Sequence, residues 1–314
     1  MQVVQQTSEL QLHHRPVSVT LGIFDGVHLG HQRLLQLALD DAHDHQGLAI
    51  AVTFDRHPNH TLAPDRAPPA LQTLEHRLAL LERLGLDAAV VIPFNQAFSQ
   101  LDPATFVRNL VRDLGRLVSI CIGQGFTFDH RRGGNVDLLE KLGRELGYVT
   151  RALAPVTLDH TVIRSTRIRE LVAHGQLTQA GALLGRPYSV ASRVVHGDHL
   201  GRQIGFPTAN LDVAGLVLPP TGVYTARVRL GPILHPAILN LGRRPTLDAA
   251  DPPLRLEVHL LDYAGDLYGE LLEVVFHDRL RPEQRFASLD ALRAQIRADV
   301  DRARTDLAPP AVAP

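Results

Sequence analysis

Two short stretches of this chain combine residue types that handle phosphate. In GIFDGVHLGH (Gly22–His31), His28 and His31 stand three apart where an apolar run gives way to a helical pattern, with glycines at 22, 26 and 30. Two imidazoles at a strand-to-helix turn face one space, beside exposed backbone N–H groups and the positive end of a helix dipole. That corner suits nucleotidyl transfer, which needs charge stabilised on phosphates and little covalent chemistry from the protein. HxGH by itself reads equally well as two surface histidines in a glycine-rich turn. The strand before it, the FDG turn and the amphipathic helix after it favour phosphate. In GRQIGFPTANL (Gly201–Leu211), Thr208 and Asn210 are spaced two apart on an extended segment, so both side chains emerge on one side. A hydroxyl and an amide oxygen suit Mg2+, an oxygen-seeking ion usually shared with substrate phosphates. Alone, this second stretch reads as a Gly/Pro turn ending in a strand.

The elements that would position these groups alternate in the first half. Strands are expected at Val17–Gly22, Leu48–Phe54, Ala88–Pro93, Val118–Ile122 and Val149–Leu153. Helices are expected after Gly30, at Thr73–Leu84, at Asp102–Leu114 with Asp102 as cap and Pro103 first, and at Leu138–Leu146. Strands alternating with helices predict a parallel sheet flanked by helices, a Rossmann-like α/β domain. Thr166–Leu184 reads as a helical connection. From Tyr188 to Phe276 strand-like runs separated by Gly, Pro and Asp predict a small antiparallel β-barrel, closed by a helix over Ser288–Arg304 with Leu289, Leu292, Ile296 and Val300 on one face. The expected division is therefore 1–184, 185–306 and a disordered tail at 307–314.

Composition narrows the function classes. The chain has 314 residues, is 45% hydrophobic and carries a net charge of −1, enough for two cores and no bias toward nucleic acid or a membrane surface. Neither a signal sequence nor an apolar run long enough to span a membrane is visible, and a single cysteine excludes a disulfide framework, so a cytoplasmic protein is expected. Cys121, in an apolar run, reads as a buried small hydrophobe. With Lys141 the only lysine, phosphate-binding cations must be Arg or His. His57-x-x-His60 and His43-x-His45 lack the partners of a zinc site.

The first motif resembles the adenylyltransferase signature of the bacterial bifunctional riboflavin kinase/FMN adenylyltransferase (FAD synthetase) family. TFDRHP (Thr53–Pro58), IGQGFTFDHRRGGNVDLL (Ile122–Leu139) and IRSTRIR (Ile163–Arg169) follow in that family's order. PTAN within GRQIGFPTANL closely resembles its riboflavin kinase signature, and VVHGDHLGRQIGF, PPTGVY, NLGRRPTL and LEVHLLDYAGDLYG extend the match across the second half. The resemblance implies conversion of riboflavin and ATP to FMN, then of FMN and ATP to FAD and pyrophosphate. It implies His28, His31 and Arg169 as stabilisers of phosphate charge, and nucleotide contacts from Gly22, Phe24, Asp25, Gly30, Ser165 and Thr166. In the second half it implies nucleotide contacts from Gly197, Gly201, Arg202, Thr208 and Asn210, with Thr208 and Asn210 on Mg2+. Flavin contacts would come from Gly123, Phe126, Phe128 and Arg281. Glu257, a solvated strand residue when read alone, falls at the catalytic-base position, where it would take the proton of a ribityl hydroxyl. In the first half three residues depart from the family pattern, Gly125, Arg56 and Arg164, where Asp, Pro and Ser are usual; in the second, Ser192 stands where Gly is frequent. The alternatives left open are a chain with one activity, the kinase before the adenylyltransferase, and a flavin or nucleotide sensor without catalysis.

Overall fold

A computed structural model describes residues 1–127, 133–197, 200–243 and 254–308. Two compact units divide the chain, Met1–Ala70 with Arg77–Ile168, and Leu71–His76 with Arg169–Pro314.

The first unit is built on a six-stranded sheet of β1 (Gln2–Val4), β2 (Val17–Leu21), β3 (Leu48–Phe54), β4 (Ala88–Ile92), β5 (Leu117–Gly123) and β6 (Val149–Leu153). Every pairing is parallel and the order is β1-β4-β3-β2-β5-β6. β2 is buried at all five positions, because a central parallel strand is covered on both faces. In β3 the alternation divides the faces: Ile50 and Val52 join the core that includes Leu110, Leu139 and Leu142, whereas Ala49 and Ala51 face a second core with Leu34, Leu35 and Leu81.

The helices are α1 (Leu29–Asp44), the short α2 (Asn59–Leu62), α3 (Leu74–Arg83), the short α4 (Gln96–Ser99), α5 (Pro103–Leu114) and α6 (Val136–Leu146). α5 begins as its sequence predicts, with the Asp102 carboxylate accepting from Thr105 N–H at 2.8 Å and proline first. α6 starts two residues before the expected Leu138, because Asn135 caps it by accepting from Leu138 N–H at 3.0 Å. A small hairpin, β7 (Thr157–Leu158) and β8 (Thr161–Val162), precedes α7 (Ser165–Ala173), which is followed by α8 (Leu177–Leu184). The helical connection expected at Thr166–Leu184 is thus two helices.

The second unit contains a closed antiparallel barrel of β9 (Ser189–Val195), β10 (Ala209–Leu211), β11 (Gly222–Leu230), β12 (Ile233–Arg243), β13 (Leu254–Leu260) and β14 (Leu271–Arg281). One turn of helix, α9 (Leu200–Gln203), lies between β9 and β10. Along β13, Leu256, Val258 and Leu260 are buried, while Arg255, Glu257 and His259 alternate onto the other face, half-buried. α10 (Leu289–Asp306) is capped by Ser288 and packs Ile296, Val300 and Ala303 against Ile238 and Leu261, joined by its C-cap Leu307, which is buried rather than part of the expected disordered tail. Leu289 differs from expectation: as the first helical residue it is 62% exposed, away from the stripe it was expected to join. Residues 309–314 of the expected tail, and Phe128 of the expected flavin contacts, lie outside the described residues.

Candidate functional site

In the first unit the strand order reverses beside β2, whose neighbours are β3 and β5. Ligands of open α/β sheets bind at the carboxyl ends of strands at such a switch point, and the turn after β2 carries GIFDGVHLGH. Its backbone is unusual: Phe24, Gly26 and Val27 have φ of 53°, 86° and 40°. A Cβ on Gly22 would lie 2.8 Å from the Phe24 ring, so glycine there lets that ring fold back into the core. Phe24 is fully buried and meets His31 edge to face at 5.5 Å, placing it beneath the imidazole.

His28 caps α1, its Nδ1 accepting from His31 N–H at 3.2 Å. An accepting Nδ1 leaves the ring proton on Nε2 as the remaining donor. The two imidazoles stack at 3.6 Å between centroids and 15° between planes. Burial, with His28 and Arg77 nearby, holds His31 well below the usual histidine pKa, so it is neutral at physiological pH. His31 Nδ1 is buried and has no hydrogen-bond partner among the described residues. Gly30 lies against the capping ring, where a Cβ would come within 3.1 Å of His28. Ser165, first in α7, donates to the Asp25 carbonyl at 3.0 Å and so ties the last motif of this unit to the first. Thr166 is exposed, and Arg169 follows one turn along α7.

Beside this turn is an aromatic pocket of about 90 Å³, lined by Ile23, Phe54, Phe94, Phe98, Phe106 and Phe126 among others. Phe54, Phe94 and Phe98 meet edge to face at 5.2–5.6 Å. Only Phe126 was expected there. Phe54 and Phe94 end or follow β3 and β4, and aromatics at the carboxyl ends of parallel strands are the signal that would have found them. Gly123 accepts the Phe126 N–H at 2.9 Å. A Cβ at Gly125 would meet nothing within 4 Å, so the residue missing from the family pattern leaves open space. Arg56 pairs with neighbouring Asp55 at 3.0 Å on the surface, and Arg164 is exposed.

In the second unit, Asn210 on β10 pairs in register with Glu257 on β13, and Glu257 with Asn240 on β12. One row of three polar side chains therefore crosses three strands. Thr208, Asn240, Glu257, His259, Arg281 and Phe286 line a cavity of about 400 Å³. Thr208 also lines a smaller hollow of about 60 Å³ with Arg202, Asp266 and Tyr268. The signature glycines are steric requirements. A Cβ on Gly197 would sit 2.1 Å from the Asn210 amide nitrogen, and one on Gly201 would sit 2.3 Å from the Phe206 carbonyl and 3.1 Å from Thr208 Oγ1. Each glycine cradles one member of the oxygen pair, an environment that fits a hard cation held by Thr208, Asn210 and substrate phosphate. Arg281 is engaged by Asp299 of α10 through Nε and Nη2, the latter at 2.8 Å, which fixes that wall of the cavity. His259, missed in the sequence, shares a hydrogen bond of 2.7 Å between Nδ1 and the Pro207 carbonyl and meets Phe206 edge to face, bracing the PTAN segment.

No three His, Cys, Asp or Glu side chains among the described residues come together to hold a metal, and no described helix is long and apolar enough to cross a membrane.

The profile of the FAD synthetase family matches residues 10–167, and that of riboflavin kinase matches 184–307. The chain is 40% identical over 311 residues to the bifunctional riboflavin kinase/FMN adenylyltransferase of Pseudomonas fluorescens, covering 99% of both. It is 39% identical over 287 residues to the protein of that name from Escherichia coli K12, covering 91% of both. A crystal structure from Streptococcus pneumoniae, described as a macrolide-efflux protein, superposes with a TM-score of 0.76 at 29% identity, covering 96% of this chain and 98% of that one. With a histidine turn and aromatic pocket in one unit, a glycine-cradled Thr–Asn pair in the other, and both profiles in that order, the chain belongs to the bifunctional riboflavin kinase/FMN adenylyltransferase family.

Proposed function

We propose that this protein makes FAD from riboflavin in two ATP-dependent steps, one in each unit, as a cytoplasmic enzyme. The observation that carries the first step is the row of Asn210, Glu257 and Asn240, with Thr208 at the junction of two hollows. Riboflavin fits the larger cavity, whose walls include Phe286 and the Arg281–Asp299 pair, and the smaller hollow beside Arg202 takes part of the nucleotide, its phosphate end. Gly197 and Gly201 leave room for the Asn210 amide and for the Phe206–Thr208 segment, which lets that pair of side chains stand at the site. Thr208 and Asn210 would hold Mg2+, which when bound neutralises phosphate charge. Glu257 takes the proton from the terminal ribityl hydroxyl, whose oxygen attacks the ATP γ-phosphorus as ADP leaves, giving FMN. A base held within hydrogen-bond reach contributes about 10²–10⁴-fold.

In the second step one edge of the flavin ring of FMN enters the aromatic pocket of the first unit, with Phe126 as part of its wall. An FMN phosphate oxygen attacks the ATP α-phosphorus and pyrophosphate departs, with no covalent enzyme intermediate. His28 and His31 donate to the charged oxygens as neutral imidazoles, which avoids desolvating a buried cation pair. Backbone N–H groups at the start of α1 and the Arg169 guanidinium complete the stabilisation.

Purified protein incubated with riboflavin, ATP and Mg2+ and followed by chromatography tests both steps. FMN and then FAD should appear. FMN accumulating without FAD refutes the second step, and no product refutes both. His31→Ala should stop FAD formation and spare FMN. Glu257→Gln should stop FMN formation while FAD still forms from supplied FMN.

A further inference from the structure

The ladder between β2 and β3 ends at the pair Leu21–Val52, followed by a bond from Gly22 N–H to the Val52 carbonyl at 3.1 Å. Beyond it the two chains separate, one into the phosphate turn and the other into Asp55–Pro58. The carbonyls of Ile23 and Phe54 face this gap, and one side chain spans it. Arg77 of α3, 5% exposed, donates from Nη1 to Ile23 O at 2.6 Å and from Nη2 to Phe54 O at 2.5 Å. Thr53 Oγ1 adds a second donor to Ile23 O at 3.2 Å. Ile23 immediately precedes Phe24 and the histidine turn, and the side chains of Ile23 and Phe54 both line the aromatic pocket. A guanidinium's rigid, planar set of donors suits two acceptors at a fixed separation, which an ammonium does not reproduce.

We infer that Arg77 is a positioning residue for adenylyl transfer, its guanidinium setting the distance between the phosphate turn and the wall of the ring pocket. This rests on the reading that the pocket takes FMN and the turn takes ATP phosphates. In-line attack depends on that distance, and a displacement of about 1 Å costs on the order of 10²-fold in rate. Arg77 keeps its charge in this setting. Burial lowers its pKa to about 10, opposed by the nearby carboxylates of Asp25 and Asp55. That cation, with stacked His28, is also what His31 faces electrically. Two consequences of removing Arg77 are therefore separable, one of geometry and one of charge.

Arg77→Lys and Arg77→Met separate them in the full-length protein. Arg77→Lys keeps the charge and loses the two-pronged bond. It should lower kcat/KM for FAD formation from FMN by about 10–100-fold and leave the pH–rate profile in place. Arg77→Met should lose at least as much and also move the acid limb of that profile upward, because His31 gains protons more easily without the neighbouring cation. The same shift should appear in the His31 resonance by nitrogen-15 NMR, assigned with His31→Gln. FMN formation from riboflavin in the same samples should stay within about twofold, reporting an intact second unit. Wild-type kcat/KM for FAD in Arg77→Lys overturns the inference, as does an equal loss of both activities. If Arg77→Met does not fold, Arg77→Lys alone decides. A wild-type chain that makes no FAD overturns instead the reading on which the inference rests.

Discussion

Gly197→Ala is the substitution whose effect follows most directly from the packing around it. A Cβ there would fall 2.1 Å from Asn210 Nδ2, 2.6 Å from Cγ and 2.9 Å from Oδ1. All three amide atoms lie inside contact distance, so rotating the amide about its last bond gives no relief and the whole group must swing away. The neighbour that yields is a side chain, so the barrel survives. A strained or displaced rotamer costs about 0.5–1.5 kcal/mol, and for a unit of this size each kcal/mol lowers the melting midpoint by about 2–4 °C. The chemical cost is larger. On the proposed reading Asn210 then withdraws its amide oxygen from Mg2+, and lost support around a metal ligand typically weakens the metal by about 10–100-fold. In a titration of FMN formation against Mg2+ at saturating ATP, the half-saturating concentration should rise by about that factor, while FAD formation from supplied FMN is unchanged. A folded Gly197→Ala protein with the wild-type Mg2+ dependence would refute the assignment of Asn210 to the metal.

Gly201→Ala should behave differently, because its Cβ would meet the Phe206 carbonyl at 2.3 Å and backbone cannot step aside cheaply. A stability loss of about 1–3 kcal/mol should appear in the denaturant midpoint of the second unit, together with loss of FMN formation. Burial and its neighbours depress the His31 pKa, so below about pH 6.5 the unfolded chain binds a proton that the folded chain resists. Stability of the first unit should therefore fall on acidification through that window by up to about 1.4 kcal/mol per pH unit, and His31→Gln should flatten this slope; parallel slopes would contradict it. Cys121 is fully buried, and burial pushes its thiol up to about 12. The native protein should not react with a disulfide reagent until denaturant exposes it, and rapid reaction at neutral pH would count against this packing.

What could be read in advance was what local chemistry dictates. β3, β6 and β11 coincide with their apolar runs, and α5 with its Asp-Pro start, because periodicity and capping are short-range properties. The two-residue strands of the β7–β8 hairpin and the edge strand β1 carry too few residues to show a period. The aromatic pocket was illegible for another reason. Its phenylalanines come from β3, from α4 and α5, and from the segments after β4 and β5, and nothing in their spacing says that they converge. Arg77 reads as an ordinary polar position on an amphipathic helix; only the folded backbone brings Ile23 and Phe54 to it. Glu257 is singled out by family resemblance and not by its own surroundings in sequence; what the fold adds is its register with Asn210.

The three-residue strand β10 closes the barrel by joining β9 to β13, and its central residue is Asn210. The segment proposed to hold the metal is therefore also the stave that seals the ring. A lineage that no longer needed FMN formation could lose Glu257 by simple drift, but it could not discard this strand without exposing the edges of β9 and β13 to aggregation. Selection on solubility alone would preserve a strand here long after selection on catalysis had ceased, but not its side chains, because the ladder is made by the backbone. An Asn kept at the centre of such a stave, where strands disfavour it, is accordingly a witness to chemistry and not to folding.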